Sequence, residues 1–528
     1  MVRHTNLPKL AETFAGMRAD YAAANSSRFR RRRTGVPALG AGADYHTRSP
    51  VKFLRMMEEA RDMDLNDCIV SQTIDRAVTN TVQDGIGVEP KTGDTDVNDA
   101  LSARWKDWSE EADRCDLSGE HDFAEQQWLA LRHNYVDGDV LSLPDKESGA
   151  LEGVEAHRLR SPSNAKQNRA DGRALINGVL IDGNRRRLQY WLTKNDINPL
   201  QPLKGVTEVR KYNARDAEGH RQVFHLYTAK RLSQTRGVSA LAPIFDLCGM
   251  FEDINFAKLV HQQVVSCFAV FRQREMGFEV PKDEPQLGIR TSEVLADGSS
   301  RMLEGVGPGM HMAGFPGEQL SMNSPNVPNP EFFPHVRLIL TLIGINLGLP
   351  LVMVLMDGSE TNFSGWRGAV DQARMGFKHN QKRVINRLVR PTYLWKVRQW
   401  MAEEPALRTA HGRNGVDVFA HQYKRPTWPY IQPLQDATTD LLRKRNGLTS
   451  GRRIAAERNV DYDELTGEIV EDNATLIRKA WNQAAKLNAD CPGLDANWRD
   501  LANSPTPDGV NVTLPVTPAG REQHNDDD

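Results

Sequence analysis

The chain has 528 residues, 39% of them hydrophobic, so it can bury a sizeable core spread over roughly two to four domain-sized parts. Its 67 lysines and arginines nearly balance its 69 aspartates and glutamates, and the formal net charge of −2 argues against binding of nucleic acid through a global basic field. The 5 cysteines are scattered with no C-x-x-C pair, and the N-terminus has no apolar signal region. We therefore expect neither disulfides nor a zinc site, in a protein kept in a reducing cytoplasm.

The first half of the chain is predicted to be a mixed α and β body that follows a flexible arm. Residues 1–50 are rich in Ala, Arg, Gly and Ser and contain the basic run Arg28 to Arg33, which indicates either a solvated tail or a phosphate-binding arm. From 51 to about 131, apolar residues recur with helical spacing. From 136 to 226, turn signals such as Asn177-Gly178 separate short alternating runs, which predict strands. The fold class that follows is α+β.

A long helix is predicted after Gly237. Apolar residues recur with helical spacing from Leu241 to Phe271, Ser239 is a candidate N-cap, and Gly277 lies beyond the end. About thirty residues of α-helix span roughly 45 Å, which is long for a helix in a compact enzyme. The next segment, residues 278–328, is dense in Gly, Pro, Ser and Asp and predicts short strands and turns.

A second helix is predicted to begin at Asn329-Pro330 and to end near Pro350. Within it, the apolar run Leu338 to Met356 contains Gly344-x-x-x-Gly348, a pattern known from membrane helix dimers. A proline interrupts the run, and no flanking basic asymmetry or aromatic belt supports insertion. A buried helix, turn and strand is therefore favoured over a membrane span.

A third helix is predicted from Ser364 to Arg390, where Pro391 stops it. Its exposed face is basic, with seven cations against Asp371 alone: Arg367, Arg374, Lys378, Lys382, Arg383, Arg387 and Arg390. After a β-like stretch, residues 437–486 again have helical spacing. Residues 491–528 are polar, Pro-rich and acidic at the end, so we expect them to be disordered.

Motifs for chemistry are missing from the sequence. It contains no G-x-x-x-x-G-K-[ST], G-x-G-x-x-G or G-x-S-x-G, which disfavours a terminase-like ATPase or a hydrolase. His220 and His225 are five apart on a predicted strand and face opposite sides, so they cannot chelate one metal together. His261 is more typical of a packing or interface residue than of a ligand. We therefore predict no catalytic residue, no metal and no cofactor.

The order of these elements, together with several short motifs over residues 50–465, resembles the lambda-type branch of the tailed-phage portal proteins, the head–tail connectors. The motifs are Val78-Thr79-Asn80 to Gly85-Ile86-Gly87-Val88, Glu155-Ala156-His157-Arg158-Leu159, Asn177-Gly178-Val179 with Asp182, His225-Leu226-Tyr227 to Arg231, Gln234-Thr235-Arg236-Gly237-Val238, Leu241-Ala242-Pro243, Leu303 to Gly309, Phe315-Pro316-Gly317-Glu318, Leu347-Gly348-Leu349-Pro350, Asp357-Gly358-Ser359 to Asn362-Phe363-Ser364, Trp428-Pro429 to Pro433, and Asn446-Gly447-Leu448-Thr449-Ser450. The sequence departs from the family at His157, where an Asp is expected, and at Gln435-Asp436, where Lys-Glu is usual.

The resemblance implies a division of the chain into portal subdomains. These are an arm (1–50), the first part of a wing (51–236), a stem helix (237–277), a clip (278–328), a second stem helix (329–350), a tunnel loop (351–363), a wing return with the long basic helix (364–436), a crown (437–490) and an acidic tail (491–528). It also implies roles for individual residues. The tunnel loop at the DNA channel would comprise Met356, Asp357, Gly358, Ser359, Glu360, Thr361, Asn362 and Phe363; basic DNA contacts would come from Arg337, Arg374, Lys378 and Lys382; the stem interface between subunits from Phe251, Ile254, His261, Val264, Phe268 and Phe271; and the docking surface of the clip from Gly305, Gly307, Pro308 and Pro316.

The function implied by the resemblance is a ring of about twelve subunits at one capsid vertex of the virion, assembled in the host cytoplasm. Double-stranded DNA would pass through it without sequence specificity during packaging and ejection. The large terminase motor, head-completion and tail proteins, and capsid and scaffold proteins would be partners, and no membrane is involved. A near-neutral chain suits such a conduit, because each neutralised phosphate strengthens binding and would retard sliding DNA. The alternatives are a collar or adaptor of the same virion, a membrane pore, and an enzyme with an unrecognised site.

Overall fold

The structure is a computed structural model and describes residues 50–162, 172–193, 208–272, 290–294, 300–304, 310–313, 332–359, 361–428, 433–458, 460, 462–491 and 496–502. The chain divides into two compact units, Met1–Pro426 and Thr427–Asp528. The expected arm (1–50) lies outside the described residues except for Pro50.

Helices make up much of the first unit. They are α1 (Pro50–Asn66), α2 (Cys68–Val82), α3 (Thr95–Ser109), α4 (Ala112–Cys115), α5 (Phe123–Val136), α6 (Phe245–Cys267), α7 (Phe332–Leu347), α8 (Leu351–Leu355), α9 (Phe363–Val384), α10 (Arg390–Glu403) and α11 (Pro405–Ala410). Aspartates start three of them: the carboxylates of Asp67, Asp94 and Asp122 accept hydrogen bonds from the otherwise unpaired amides of the first turn. The helical region predicted for residues 51–131 is thereby confirmed.

Strands occupy the region predicted for them and also part of the Gly/Pro-rich segment. They are β1 (Gly87–Pro90), β2 (Asp139–Pro144), β3 (Leu151–Glu155), β4 (Ala174–Ile176), β5 (Val179–Ile181), β6 (Arg187–Thr193), β7 (Val209–Asn213), β8 (Phe224–Tyr227), β9 (Phe268–Arg272), β10 (Arg290–Val294), β11 (Ser300–Glu304), β12 (Met310–Ala313) and β13 (His421–Lys424). Asn177 and Gly178 have φ of 40° and 87°, the left-handed values that a two-residue hairpin turn requires. The predicted β4–β5 hairpin is therefore confirmed.

The strands form small open sheets. Three strands pair in the order β3-β2-β8 and four in the order β4-β5-β6-β7, all antiparallel. β1 pairs with β13, which joins two segments more than 300 residues apart in sequence, and β10 pairs with β11. Only the β9–β12 pair is parallel among the described strands. The architecture is a mixture of helices and open sheets, as the sequence predicted at this coarse level.

The main hydrophobic core of the first unit lies between α2, α5, α7 and α10. Val78, Leu131, Ile343 and Val397, one from each helix, are completely or almost completely buried in it. Burial of one such side chain contributes about 1.5–3 kcal/mol. An aromatic group extends this core, with the ring of Trp105 5.3 Å from Tyr393 and 5.4 Å from Phe123.

The long helix is shorter than predicted. α6 begins at Phe245, after a turn in which the Ser239 hydroxyl accepts a hydrogen bond from the Leu241 amide, and it ends at Cys267. At 1.5 Å per residue it spans about 35 Å. Phe268 and Phe271 lie in β9 instead, so the prediction of one helix through Phe271 is wrong. Alternating aromatic and β-branched residues favour a strand where a partner is available, and β12 supplies that partner.

The third helix does not stop at Pro391, contrary to the prediction. A π-helical turn, Ile385–Val389, connects α9 to α10 in one helical run from Phe363 to Glu403. The amide of Arg390 bonds to the carbonyl of Ile385, five residues back. A proline inside an α-helix clashes with the preceding turn and has no N–H to donate. The widened π turn accommodates Pro391 without ending the helix.

The second unit is helical in its described part, with α12 (Pro433–Arg445), α13 (Gly451–Glu457), α14 (Tyr462–Asp490) and α15 (Trp498–Ala502). This confirms the helical spacing of residues 437–486. The prediction of disorder throughout 491–528 is wrong at α15, because Asn488 of α14 exchanges two hydrogen bonds with the backbone of Ala496, at 2.8 and 3.0 Å, just before that helix. Across the described ranges, no helix is both long and apolar enough to span a membrane.

Candidate functional site

The segment that the sequence singles out as a tunnel loop lies between α7 and α9. Only part of it is irregular: Leu351 to Leu355 form the short helix α8, and Phe363 already belongs to α9. The expected strand after Pro350 is therefore wrong. The irregular part runs from Met356 to Asn362, and we call it the α8–α9 loop; its Glu360 lies outside the described residues.

A close approach at Gly344 folds α8 back against α7. The amide of Leu349 donates to the Gly344 carbonyl at 2.8 Å. A Cβ at position 344 would lie 2.6 Å from the carbonyl oxygen of Leu349 and 2.9 Å from Val354 Cγ2, distances that a side chain cannot occupy. Gly348 adopts a positive φ of 79° in the same turn. The Gly-x-x-x-Gly pattern is therefore used for a tight turn.

Arg76 of α2 fixes the end of α8. Its guanidinium donates to the carbonyl of Val354 and, at 3.3 Å, to that of Met353. The last carbonyls of a helix have no partner within the helix, so a cation there satisfies them and interacts well with the helix dipole. This contact, from a residue 277 positions away in sequence, selects a helical turn over a strand at residues 351–355.

The α8–α9 loop is exposed and ordered by local hydrogen bonds. Met356 caps α8 with a left-handed φ of 55°. The Asp357 carboxylate accepts from the Ser359 amide at 2.9 Å, and the Asn362 side chain accepts from the Gly365 amide at 2.7 Å, which starts α9. Met356 is 75% exposed.

Charges of both signs lie around this loop. Hydrogen bonds from the backbone and hydroxyl of Ser359, with a further contribution from the charge of Arg337, hold the pKa of Asp357 below its ordinary value. The charge of Arg337, on α7, thus acts on the loop, and its contact with DNA stays a prediction. Arg374 of α9 instead pairs with Asp371 at 3.2 Å, while Lys378 and Lys382 are exposed on α9. The loop presents a carboxylate that stays ionised under the influence of Arg337, while Arg374, Lys378 and Lys382 lie about 17 to 29 Å farther along α9 from Phe363.

A second constellation was missed by the sequence analysis, although all of its residues except Asp139 belong to the quoted motifs. Arg236 is completely buried and uses all five of its N–H groups. It pairs with the Asp139 carboxylate through Nε and Nη2, and it donates to the carbonyls of Ala156, Leu159 and Asn177 at 2.7–3.0 Å. Three motifs that are distant in sequence therefore meet at one guanidinium group.

The Asp139 carboxylate is held ionised at the centre of this constellation. Burial raises its pKa, but the charge of Arg236 and hydrogen bonds from Arg236 and His225 outweigh that effect and bring it well below the ordinary value. His225 Nε2 lies 3.1 Å from the carboxylate, and burial lowers the pKa of His225 to about 3. The Gly237 amide also donates to Asp139, at 3.1 Å. A Cβ on Gly237 would lie 1.9 Å from the Gly138 carbonyl oxygen, so the motif glycine permits this contact.

A related ion cluster contains the departure at His157. Arg61 pairs with Asp137 and with Glu155, both at 2.7 Å, and His157 Nδ1 lies 3.2 Å from the same guanidinium. An aspartate at position 157, as in the family pattern, would add a third carboxylate beside Arg61. Here Asp137 and Glu155 already balance the charge, and a histidine is tolerated.

The other predicted residues fall into three groups. Phe251 is buried in the core of the subunit, and Ile254 packs against that core from a half-buried position. His261 and Val264 are placed in α6, and Phe268 and Phe271 in β9, but their side chains lie outside the described ones. The clip residues Gly305, Gly307, Pro308 and Pro316 lie outside the described residues altogether. Their proposed roles stay predictions.

In the described part of the chain, one group of side chains has the spacing of metal ligands. Asp216, Glu218 and His220 bring their ligand atoms within 4.8 Å of one another at a hairpin tip. His220 Nδ1 lies 3.4 Å from an Asp216 oxygen and 3.3 Å from a Glu218 oxygen, so the three side chains already contact one another. His225, the other histidine considered from sequence, is occupied by Asp139.

Among solved structures, the chain is similar to chains of gene transfer agent particles. A chain of the "neck of native GTA particle computed with C12 symmetry" is 11% identical, with 78% of this chain and 94% of that chain covered and a TM-score of 0.38. A chain of the "neck of empty GTA particle computed with C6 symmetry" is 12% identical, with 77% and 93% covered and a TM-score of 0.37. A chain of the "virion of native gene transfer agent (GTA) particle" is 12% identical, with the same coverage and a TM-score of 0.33.

Family membership comes from sequence. No curated protein matches the chain. A family model described as "Phage portal protein, lambda family" matches residues 30–381, more than half of the chain, and this span contains α7, the α8–α9 loop and all three motifs that meet at Arg236. The chain therefore belongs to the lambda family of phage portal proteins.

Proposed function

We propose that this portal protein assembles into a closed ring of about twelve subunits at one capsid vertex, through which double-stranded DNA enters and leaves a phage-like particle. The match of the lambda-family portal model over residues 30–381 carries this proposal. Portal proteins are structural components, and the proposed role needs no catalysis. The terminase motor, the head-completion and tail proteins, and the capsid and scaffold proteins are the proposed partners.

The exposed apolar side chains on α6 and α7 support assembly. Phe256 of α6 and Phe333 and Ile345 of α7 are 67–71% exposed in the subunit. Apolar surface of this kind on neighbouring helices marks a protein–protein interface, and in a homo-oligomer it is covered by the next copy. These helices correspond to the proposed stem, with β10 and β11 in the clip, α9 and α10 in the wing return, and α12 to α14 in the crown.

The α8–α9 loop is the proposed lining of the channel constriction. An Asp357 that stays ionised in every subunit would give a ring of negative charges, which discourages DNA phosphates from sticking. Arg337, Arg374, Lys378 and Lys382 are the proposed basic contacts that steady the DNA. Rings of negative and positive charge together would let a duplex slide, because the attraction of the cations for the phosphates is offset by the negative ring.

Assembly is tested on the purified full-length protein by negative-stain imaging and light scattering. Rings with a central hole and a mass of about twelve subunits are expected. Phe256→Ser and Ile345→Ser should reduce the ring fraction, while the exposed Val51→Ser serves as a control that leaves it unchanged. Only monomer across micromolar concentrations and several salt concentrations would overturn the ring.

The channel position of the loop is tested by reversing its charge. Asp357→Lys with Glu360→Lys should create an attractive collar that slows packaging and makes its rate more dependent on salt, while rings still assemble. Glu110→Lys with Glu111→Lys makes the same charge change at exposed sites outside the loop and should leave packaging unchanged. An unchanged rate and salt response in the loop variant would remove the loop from the channel.

A further inference from the structure

Two arginines, Arg187 and Arg387, lie against the ring of Tyr227 at the end of β8. The charges of Arg187 and Arg387 act on Arg221 and that of Arg387 acts on Arg383, and we call these four residues the Tyr227 arginine cluster: Arg187, Arg221, Arg383 and Arg387. Tyr227 is buried, and two guanidinium groups lie against its ring. The guanidinium carbon of Arg387 lies 3.8 Å from the ring centroid and that of Arg187 lies 4.5 Å from it. Contacts of this kind hold the cations in place without neutralising them.

Backbone carbonyls fix two of these arginines further. Arg187 Nη2 donates to the Thr235 carbonyl at 2.8 Å, and Arg387 Nη1 lies 3.5 Å from the His225 carbonyl. Arg221 stands opposite Arg215 in an antiparallel bridge, which brings a further cation to the edge of the cluster. Planar guanidinium groups held by packing lose little conformational freedom when a ligand binds.

Positive charge in this cluster is not compensated by the described part of the subunit. Among the described residues, none of the four arginines forms an ion pair with a carboxylate. The two carboxylates of the adjoining hairpin, Asp216 and Glu218, pair with His220. Burial, with the charges of Arg215, Arg387 and Arg187, lowers the pKa of Arg221, and burial with the charge of Arg387 lowers that of Arg383. The guanidinium groups are thus close enough to repel one another.

Two of the same cations act on the Tyr227 phenol. Burial raises its pKa, but the charges of Arg187 and Arg387 and their hydrogen bonds outweigh burial and lower it below the ordinary value. The described partners of Arg187 and Arg387 are thus phenols and backbone carbonyls rather than carboxylates, which leaves this group of cations able to take up an external anion. A single carboxylate would balance one charge, whereas a phosphate group offers several acceptor oxygens to several forked donors.

We propose that the Tyr227 arginine cluster is a phosphate-binding site, one that holds a backbone phosphate of DNA or a free phosphate ion. The site lies within one subunit and does not depend on the ring. Arg383 stands near the far end of α9 from the α8–α9 loop, about 30 Å along the helix from Phe363. The cluster is therefore separate from the proposed constriction, where gripping would hinder sliding.

The test uses the purified full-length protein and two probes. A fluorescein-labelled 20-base-pair duplex is titrated by anisotropy between about 50 and 200 mM salt, and inorganic phosphate is titrated by calorimetry. Arg221→Gln with Arg387→Gln should weaken duplex binding at least tenfold and reduce the slope of log Kd against log salt by about two, since each lost phosphate contact changes it by about one. Arg408→Gln with Arg413→Gln removes the same charge from exposed positions and should have little effect.

Each outcome either identifies the source of the bound phosphate or contradicts the proposed phosphate-binding site. Loss of duplex binding identifies the DNA backbone as the phosphate source, and loss of the heat of phosphate binding alone identifies the free ion. Unchanged binding of both probes in the double variant overturns the proposal and points to a carboxylate-bearing partner instead. Because Arg387 packs on Tyr227, the single variant Arg221→Gln, at an exposed residue, is measured alongside, and near-UV circular dichroism is used to check that each variant is folded.

Discussion

At the scale of single residues, buried charge organises this subunit. Arg236 and Asp139 are both completely shielded from solvent, and each is satisfied by partners from several segments. A buried ion pair contributes little net stability by itself, but removal of one partner costs about 3–5 kcal/mol because the other charge is left unpaired. The pair therefore couples β2, the β4–β5 hairpin and the turn at Gly237, so that loss of either partner should disrupt the packing of all three.

His225 should make the stability of the subunit depend on pH. Its pKa is about 3 in the folded chain and 6.5 in the unfolded chain, so as pH falls below 6.5 the unfolded chain takes up a proton that the folded chain cannot. Between pH 7 and pH 5 the free energy of unfolding should fall by about 2 kcal/mol through this residue. Glu155, with a pKa lowered to about 2, adds its own loss only below about pH 4.5.

His225→Gln isolates this effect in urea titrations at pH 7 and pH 5. The variant keeps an amide donor toward Asp139 and should lose about 2 kcal/mol less than the natural chain over that interval. His335→Gln, at an exposed position of α7, should show the same pH dependence as the natural chain. An equal loss in the His225 variant and the natural chain would mean that His225 is not held neutral.

At the scale of elements, the sequence correctly predicts the helices, strands and turns that depend only on residues close together in the chain. The Asn177-Gly178 hairpin needed only two residues that accept positive φ, and it was predicted correctly. The helix at 351–355 was missed because Arg76, distant in sequence, satisfies its last carbonyls. Pro391 was misread because proline ends helices in general, and no local signal announces a π turn. The residues of the α8–α9 loop were identified because they resemble a family motif. The Tyr227 arginine cluster was not found from the sequence, because it is assembled from four separate segments.

The turn between α7 and α8 depends on Gly344. Gly344→Ala should lower the free energy of unfolding by about 1–3 kcal/mol, because the new methyl group would overlap the Leu349 carbonyl. Gly376→Ala, in the interior of α9 with nothing within 4 Å of its Cβ position, should instead raise it by about 0.5–1 kcal/mol. Equal effects of the two substitutions in urea unfolding would show that α8 can move away from α7.

At the scale of the whole molecule, the first unit has a hydrophobic core of its own. Every residue of the described core clusters lies at or before Val418. The first unit is closed near its end by Gln381, which donates to the carbonyls of Thr81 and Pro426 at 3.0 and 2.9 Å. In the second unit, Val470, Ile477 and Trp481 repeat along one face of α14 and are exposed there.

A chain that ends at Pro426 should therefore fold. Its near-UV circular dichroism and the main urea transition should match those of the first unit in the full chain, since a unit with its own core folds independently. Loss of the aromatic signal from the group around Trp105 would show that residues after 426 complete the core. Removal of the first 134 residues instead deletes α2 and nearly all of α5 and should abolish folding.

The π turn determines where the length of this chain can change. It holds one residue more than an α-helical turn, so one residue deleted within Ile385–Val389 leaves a regular helix in which α9 and α10 keep their mutual phase. The same deletion a few turns earlier would rotate everything after it by about 100° and carry Trp395 and Trp400 out of the core. Loss of a single residue from this 41-residue helical run therefore keeps the phase of α10 when it occurs in the π turn, but it also returns Pro391 to a regular α-helix, where the ring clashes with the preceding turn.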